Sequence, residues 1–455
     1  MESNNTNVST LILAAGEGTR MKSKKSKVLH KVLGKSLVAH VIEAAKYAGS
    51  KKICLVIGYK GEEVKKEIGD SVFYVTQKQR LGTGHAVMQA EEFIEDEGDI
   101  LVLYGDTPLI TGETLKNMIE IHRRENNGVT ILSAILEDPT GYGRIIRDKE
   151  GNFIKNVEQK DATKEELKVK EVNCGMYCFK SKVLKEALKE LTNDNAQGEY
   201  YLTDTLHIIL SKGYKVNTVI AKDNTEMLGC NSREQLSEVT QIMKRRINKK
   251  HMQEGVTIID PENTYIEPEV VIGMDTIIYP GTYLQGNTII GENCIIGPNS
   301  RICNSKIGDE VKIENSVILE SEVNSNTTVG PFAYIRPNSN IGENVKIGDF
   351  VEIKNSNIGN NTKVSHLTYI GDADVGERVN FGCGTVVVNY DGKKKHRTII
   401  EDDAFIGCNT NLVSPVKVHK KAFTAAGSTI TKDVPQKALG IARTRQINKE
   451  NWVKD

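Results

Sequence analysis

The 455-residue sequence predicts an α/β chain built in two unlike halves joined by a helix: a largely parallel sheet covered by helices, then a coil of short parallel strands. Two observations carry this. Apolar runs alternate with amphipathic stretches up to about residue 230, and beyond about 256 an Ile or Val followed by glycine recurs at intervals that cluster on multiples of six. A chain of this length exceeds one ordinary core and should divide into domains.

In the first half, apolar runs at 11–13, 53–57, 72–76 and 100–104 alternate with amphipathic stretches at 36–47, 62–68, 84–93 and 115–124. Such βα alternation builds a mainly parallel sheet with ligands at the carboxyl ends of its strands. Next, Leu236, Val239, Ile242, Met243 and Ile247 fall at helical spacing, so 232–255 reads as one linker helix between domains at 1–231 and 256–455. In the second half, Gly273, Gly291, Gly297, Gly308, Gly330, Gly342, Gly348, Gly359 and Gly371 follow Ile or Val at intervals of 18, 6, 11, 22, 12, 6, 11 and 12. Six residues per side, with one apolar side chain inward and a turn residue after it, make a coil and nearly exclude helices. The segment Asn389-Tyr390-Asp391-Gly392-Lys393-Lys394-Lys395-His396-Arg397 breaks the repeat, and function tends to sit at such breaks. A passive oligomerisation rod would carry the same repeat.

Composition excludes several classes. Lys+Arg and Asp+Glu both number 60, which gives no basic field for nucleic acid or a membrane surface. No run approaches the ~18 apolar residues of a span, and residues 1–9 are polar, unlike a signal peptide, so a cytoplasmic protein is expected. Eight cysteines are scattered without metal-ligand spacing; Cys174 and Cys178 lie in an alternating strand pattern and read as buried thiols rather than zinc ligands.

Residues 11–21 read Leu-Ile-Leu-Ala-Ala-Gly-Glu-Gly-Thr-Arg-Met, a strand running into a Gly-x-Gly loop that ends on arginine. Gly16 and Gly18 let backbone N–H groups approach phosphate, and Arg20 with the basic Lys27 supplies charge. Alone, Gly-x-Gly marks only a tight turn. The loop is neither a P-loop nor the six-residue dinucleotide fingerprint. Gln77 and the Gly82-Thr83 backbone offer donor and acceptor groups to a pyrimidine edge. Asp106 ends a buried strand as a lone carboxylate, which suits a Mg²⁺ whose shell is completed by phosphate and water; a turn acid would look the same.

On Leu-x-x-Gly-x-Gly-Thr-Arg-Met and the residues above, the first half resembles the sugar-nucleotide pyrophosphorylase family, which implies a Rossmann-like nucleotidyltransferase domain. The resemblance implies a UTP-binding run at Leu13, Ala14, Ala15, Gly16 and Gly18, with Gln77, Gly82 and Thr83 on the base. Asn231 is implied as the Mg²⁺ partner of Asp106, and Gly143, Glu158 and Asn173 as groups on the amino-sugar phosphate. Two departures stand out: Ser26 precedes Lys27 where proline is usual, and Arg80 replaces a common glutamine.

The second half resembles the hexapeptide family, which implies a left-handed parallel β-helix, usually a homotrimer, and an acetyl-CoA-dependent acyltransferase. The whole chain resembles the bacterial family that fuses glucosamine-1-phosphate N-acetyltransferase to N-acetylglucosamine-1-phosphate uridyltransferase. That resemblance implies Arg336 and Lys354 on the sugar phosphate, Tyr369 and Asn380 on the amino sugar, and His366 as general base. It implies Asn389, Tyr390, Lys395, Cys408, Ala426 and Arg443 at the sugar and coenzyme, with Cys408 standing where serine is common. Imidazole suits removal of an amine proton near neutrality. The implied product, UDP-N-acetylglucosamine, would feed cell-wall synthesis. A different sugar and acyl donor, or a regulatory chain with decayed sites, are the readings this one competes with.

Overall fold

The computed structural model describes residues 7–195 and 197–453, and the chain divides into two units between Met243 and Lys244. Most of the polar stretch at 1–9 lies outside the described residues.

In the first unit the sheet runs in the order Val216–Ile220, Val129–Ile135, Glu171–Lys180, Asp99–Tyr104, Val8–Ala14, Lys52–Ile57, Phe73–Thr76. Neighbours are parallel except Glu171–Lys180, which is antiparallel to both of its neighbours. The hairpin of Arg144–Arg147 and Phe153–Val157 precedes that strand and pairs with it at Val172. The sheet is therefore mixed, which the βα alternation alone did not indicate.

All seven residues of Val8–Ala14 are buried, because helices cover both faces. Ile12 and Ala14 share a core with Val38, Val41, Leu115 and Met118, whereas Leu11 and Leu13 point the other way, onto Ala86, Val87, Val183 and Leu184. The helix expected over 84–93 ends at Met88. Ala90 leaves helical backbone (φ −103°, ψ 19°) and a short turn follows, bringing the Phe93 ring 5.8 Å from that of Phe73.

The linker stretch forms the helix Arg233–Gln253, within which the division between units falls. Before the division, Val239 packs with Met21, Val32, Leu37 and Leu109. After it, Ile247 joins the core of the second unit, the Lys244 ammonium donates to the Glu262 carbonyl, and Asn248 Nδ2 donates to the carbonyls of Pro261 and Thr264 at 2.9 and 3.1 Å.

The second unit is a three-sided coil. Until the last turn each strand pairs in parallel with the third strand after it, as Thr257–Ile258 does with Ile277–Ile278, Tyr265–Ile266 with Tyr283–Gln285, and Val271–Ile272 with Ile289–Ile290; at the end Phe423–Thr424 pairs with Leu439–Gly440, the second strand after it. We call these three sheets first, second and third in the order the chain enters them. Their inward Ile, Val and Leu side chains form one continuous core. Corners need left-handed backbone, and Asn supplies it at Asn299, Asn315 and Asn338 because its short polar side chain tolerates that region. At the corner between the first and second sheets the same conformation is taken by Phe332 (φ 60°), Phe350 (φ 56°) and Leu367 (φ 45°). These side chains are 57%, 58% and 55% exposed, and the two rings stack with centroids 5.4 Å apart.

Lys363 pairs with Asn380, and Asn380 with Phe405; the second interval is longer because residues 389–397 loop out at a corner. That loop is closed by a bridge between Tyr390 and Lys395, so the strands beyond it stay in register. Cys174 and Cys178 lie buried on Glu171–Lys180, where burial raises both thiols. No helix among the described residues is long and apolar enough to cross a membrane.

Candidate active sites

In the first unit, the strands Val8–Ala14, Lys52–Ile57 and Asp99–Tyr104 end side by side, Ala14 beside Ile57 and Leu13 beside Tyr104. Their carboxyl ends open into a cavity of about 380 Å³. It is lined by Leu13, Ala14, Ala15, Gly16, Lys27, Gln77, Gly82, Thr83 and Asp106, and also by Val28, Arg80, Ala86, Tyr104, Glu199 and Tyr201.

Gly18 does not line the cavity. It is left-handed (φ 67°, ψ 42°), and a β-carbon there would lie 2.5 Å from Lys27 Cβ. Glycine at 18 thus seats Lys27 as well as turning the loop. The Lys27 ammonium donates to Asp106 Oδ2 at 2.5 Å and to Asn231 Oδ1 at 3.0 Å, so residues from three distant segments meet at one cation. The Cys230 N–H donates to the Asp106 carbonyl at 2.8 Å, which holds the two oxygen-bearing segments together.

Gly82 (φ 100°) has no room for a side chain, since a β-carbon would lie 2.5 Å from the Tyr200 carbonyl. The same carbonyl accepts from Gly84 N at 2.7 Å, which draws Glu199 and Tyr201 to the cavity wall. Gln77 directs its amide hydrogens to the Gly82 carbonyl at 3.2 Å and His85 Nδ1 at 3.1 Å. With this donor half committed, the Gln77 carbonyl oxygen is the group left for a base. Arg80 forms an ion pair with Glu17 of the glycine loop at 2.5 Å. Arg20 is exposed on the turn Thr19–Met21 and is not drawn into the cavity.

Gly143, Glu158 and Asn173 cluster beside this cavity. Asn173 N donates to the Gly143 carbonyl at 3.0 Å, and a β-carbon on Gly143 would lie 3.1 Å from Glu158 Oε1. Burial, with the charges of Asp106 and Glu158 added, pushes the Tyr104 phenol up to about 12, so it stays a neutral hydrogen-bonding group at the wall.

In the second unit, a group of cations and amides surrounds Asp372 at the corner between the second and third sheets. Asp372 accepts from Lys354 Nζ at 3.2 Å, from Asn355 Nδ2 at 2.6 Å and from Asn389 Nδ2 at 2.5 Å. Burial would raise this carboxyl, but those hydrogen bonds outweigh it and hold it below the usual range. Asn389 also donates to the Tyr369 hydroxyl at 3.4 Å. Lys395 is depressed by its contact with Lys354 and by the nearby Arg336 charge, while the contact with Lys395, together with Asp372, raises Lys354. An anion placed among Arg336, Lys354 and Lys395 would relieve their repulsion and favour full protonation. Arg336 is paired with Glu352 at 2.8 Å.

His366 lies three residues before Tyr369, on the other side of the corner that carries Leu367. Its Nδ1 meets Asp349 Oδ1 at 2.6 Å. Backbone bonds from Asn409 N to the Cys383 carbonyl and from Gly427 N to the Cys408 carbonyl, at 2.7 and 2.8 Å, extend this corner as a column. Asp349, His366, Cys383, Cys408 and Ala426 therefore follow one another coil by coil. Cys408 and Ala426 are exposed and Cys383 half-buried. Asn380 opens a strand of the first sheet, and Arg443 and Tyr390 are exposed; the Tyr390 hydroxyl donates to the Gly392 carbonyl at 2.8 Å.

Residues 9–234 match the nucleotidyl transferase family. Residues 269–304 and 320–355 match the bacterial transferase hexapeptide repeat, and 397–432 the hexapeptide repeat of succinyl-transferase. The chain is 58% identical to the bifunctional protein GlmU of Acetivibrio thermocellus over 97% of its own length and 96% of that relative's. It is 59% identical to GlmU of Caldanaerobacter subterraneus subsp. tengcongensis, with 98% and 97% covered. With GlmU of Clostridioides difficile it shares 55%, again over 98% and 97%.

Proposed function

The chain belongs to the GlmU family of bifunctional proteins, and from that premise we propose how its two sites work. The protein makes UDP-N-acetylglucosamine: its left-handed β-helix of hexapeptide repeats acetylates glucosamine-1-phosphate from acetyl-CoA, and its nucleotidyltransferase unit then transfers uridylate from UTP, releasing pyrophosphate. Convergence of Lys27, Asp106 and Asn231 at the open end of the sheet is the observation that carries the nucleotide half.

For uridyl transfer, we assign the cavity to UTP and the Gly143–Glu158–Asn173 cluster beside it to the amino sugar. A sugar-phosphate oxygen attacks the α-phosphorus in line with departing pyrophosphate. Lys27 and Arg80, both on the cavity wall, meet the phosphate charge, and fixed positive charge of this kind carries most of such a rate. Arg20 would have to swing in from its exposed turn to join them. Asp106 and Asn231 present one carboxylate and one carboxamide oxygen to a common point, the hard donor set that Mg²⁺ accepts when nucleotide and water supply the rest. Bound there, Mg²⁺ would neutralise phosphate charge.

For acetyl transfer, Arg336, Lys354 and Lys395 hold the sugar phosphate while Tyr369, Asn380 and Asn389 orient the amino sugar. His366 takes a proton from the amine as its nitrogen attacks the thioester carbon; the N–C bond forms, the C–S bond breaks, and the proton passes to the departing thiolate. Coenzyme is assigned to the column through Cys408 and Ala426, with Tyr390 and Arg443 as its proposed further contacts. Exposed Phe332, Phe350 and Leu367 beside His366 favour burial against another copy, and a homotrimer is the arrangement we propose. Eight free cysteines favour the reducing cytoplasm.

Chromatographic product analysis with glucosamine-1-phosphate, acetyl-CoA, UTP and Mg²⁺, each omitted in turn, tests the reading. UDP-N-acetylglucosamine should form from the full mixture, and only the acetylated intermediate without UTP. If N-acetylglucosamine-1-phosphate is uridylated but glucosamine-1-phosphate is never acetylated, the acetyltransferase assignment fails.

A second expectation concerns Cys408, exposed in the assigned coenzyme column. Alkylation by N-ethylmaleimide should abolish acetyl transfer, spare uridyl transfer and be slowed by acetyl-CoA. Mass-spectrometric mapping of Cys408 that finds it fully labelled with acetyl transfer intact would remove it from the coenzyme site.

A further inference from the structure

We propose that Asp349 is the positioning residue of the acetyl-transfer site, holding the hydrogen of His366 on Nδ1 so that Nε2 is the nitrogen that receives the amine proton. This rests on reading His366 as the base. Coil register creates the pair: Lys346–Asp349 and Lys363–His366 are adjacent parallel strands in which Asp349 stands directly opposite His366. The Oδ1 to Nδ1 distance is 2.6 Å.

An ionised carboxylate only accepts hydrogen bonds, so the imidazole must donate, and a ring with its hydrogen on Nδ1 carries its lone pair on Nε2. The contact with His366, helped by its own backbone N–H, keeps the Asp349 carboxyl below the usual carboxylate range, which maintains the accepting form near neutrality. Lys346, on the same strand, adds a favourable charge.

The fold does not need this pair. Backbone bonds join the coils at this corner from Phe332 N to the Asn315 carbonyl and from Leu367 N to the Asp349 carbonyl, both at 3.0 Å. Both side chains are also substantially exposed, 37% for Asp349 and 55% for His366. Little stability is at stake in so open a pair, whereas the direction of the imidazole is fixed by it. When His366 takes a proton, the same carboxylate faces the imidazolium and stabilises its charge.

The full-length chain tests this with Asp349→Ala and Asp349→Asn, each with ¹⁵N-labelled histidine. For Asp349→Ala, kcat of acetyl transfer should fall tenfold to a hundredfold, by analogy with loss of the partner that orients a metal-bound histidine. KM for both substrates and the uridyl transfer rate should stay within twofold. The amide oxygen of Asp349→Asn still accepts from Nδ1, so that variant should recover part of kcat. The ¹⁵N shifts of His366, assigned by difference with His366→Gln, should show the Nδ1–H form in wild type and Asp349→Asn, and a mixture in Asp349→Ala. An unchanged kcat in Asp349→Ala, or a wild-type His366 with its hydrogen on Nε2, overturns the proposal. Acetyl transfer that survives in His366→Gln strikes instead the base assignment beneath it.

Discussion

Asp106→Ala is expected to cut uridyl transfer by roughly a thousandfold or more while acetyl transfer by the same sample stays within twofold. The carboxylate does two things in the cavity. It neutralises the Lys27 ammonium at 2.5 Å, and it is the only charged oxygen of the pair proposed to hold Mg²⁺. Metal stabilisation of phosphoryl charge contributes several kcal/mol, and each ~1.4 kcal/mol is a factor of ten. Structural damage should be slight, because the contact that ties this segment to Cys230 uses the Asp106 backbone carbonyl rather than its side chain. Initial rates of pyrophosphate release and of free thiol release, taken on one preparation, measure both activities. A uridyl rate within tenfold of wild type would return Asp106 to the rank of a turn acid.

His366→Gln should give the mirror image, a loss of roughly 10²–10⁴-fold in acetyl transfer, the range that general-base assistance supplies, with uridyl transfer intact. Glutamine keeps a polar side chain of similar reach but takes up no proton near neutrality. The exposed ring makes no core contact whose loss would unfold a coil, so the thiol-release rate reads chemistry. A loss under tenfold would place the base elsewhere.

The halves differed in how much their sequences disclosed. In the coil, every sixth position must be a compact apolar side chain and the residue after it often has no room for a side chain against the next coil, as at Gly273 and Gly291, so Ile-Gly recurs visibly; the left-handed corners carried by Asn were not read. Phe332 and Phe350 break that corner rule and were not anticipated. Four parallel strands of the first unit were readable from their apolar runs, but Val129–Ile135 and Val216–Ile220 were not singled out; around Cys174 and Cys178 the alternation showed a strand but not its antiparallel direction, which depends on where the preceding hairpin returns the chain. At the sites, residues adjacent to a motif were legible: Lys27, Gln77, Gly82 and Asp106 all line or close the cavity. Glu199 and Tyr201 were missed because a backbone clip at Tyr200 brings them in from a distant loop. Asp349 was missed because only coil register sets it opposite a histidine 17 residues later. Gly18 was read for its backbone alone; that its missing side chain also admits Lys27 was not foreseen.

The looped-out segment 389–397 has a broader meaning for how this architecture diversifies. It delivers Asn389 to Asp372 and Lys395 to Lys354, yet the strands on either side pair as though it were absent. A corner of the coil thus behaves as a socket: recognition groups can be added, lengthened or exchanged there while the stack beneath goes on folding as before. The share of small-molecule recognition proposed for Asn389 and Lys395 is thus written apart from the stack, whereas Lys354, Tyr369 and Asn380 sit on the coil strands themselves, and selection or engineering can revise the first group without renegotiating the scaffold.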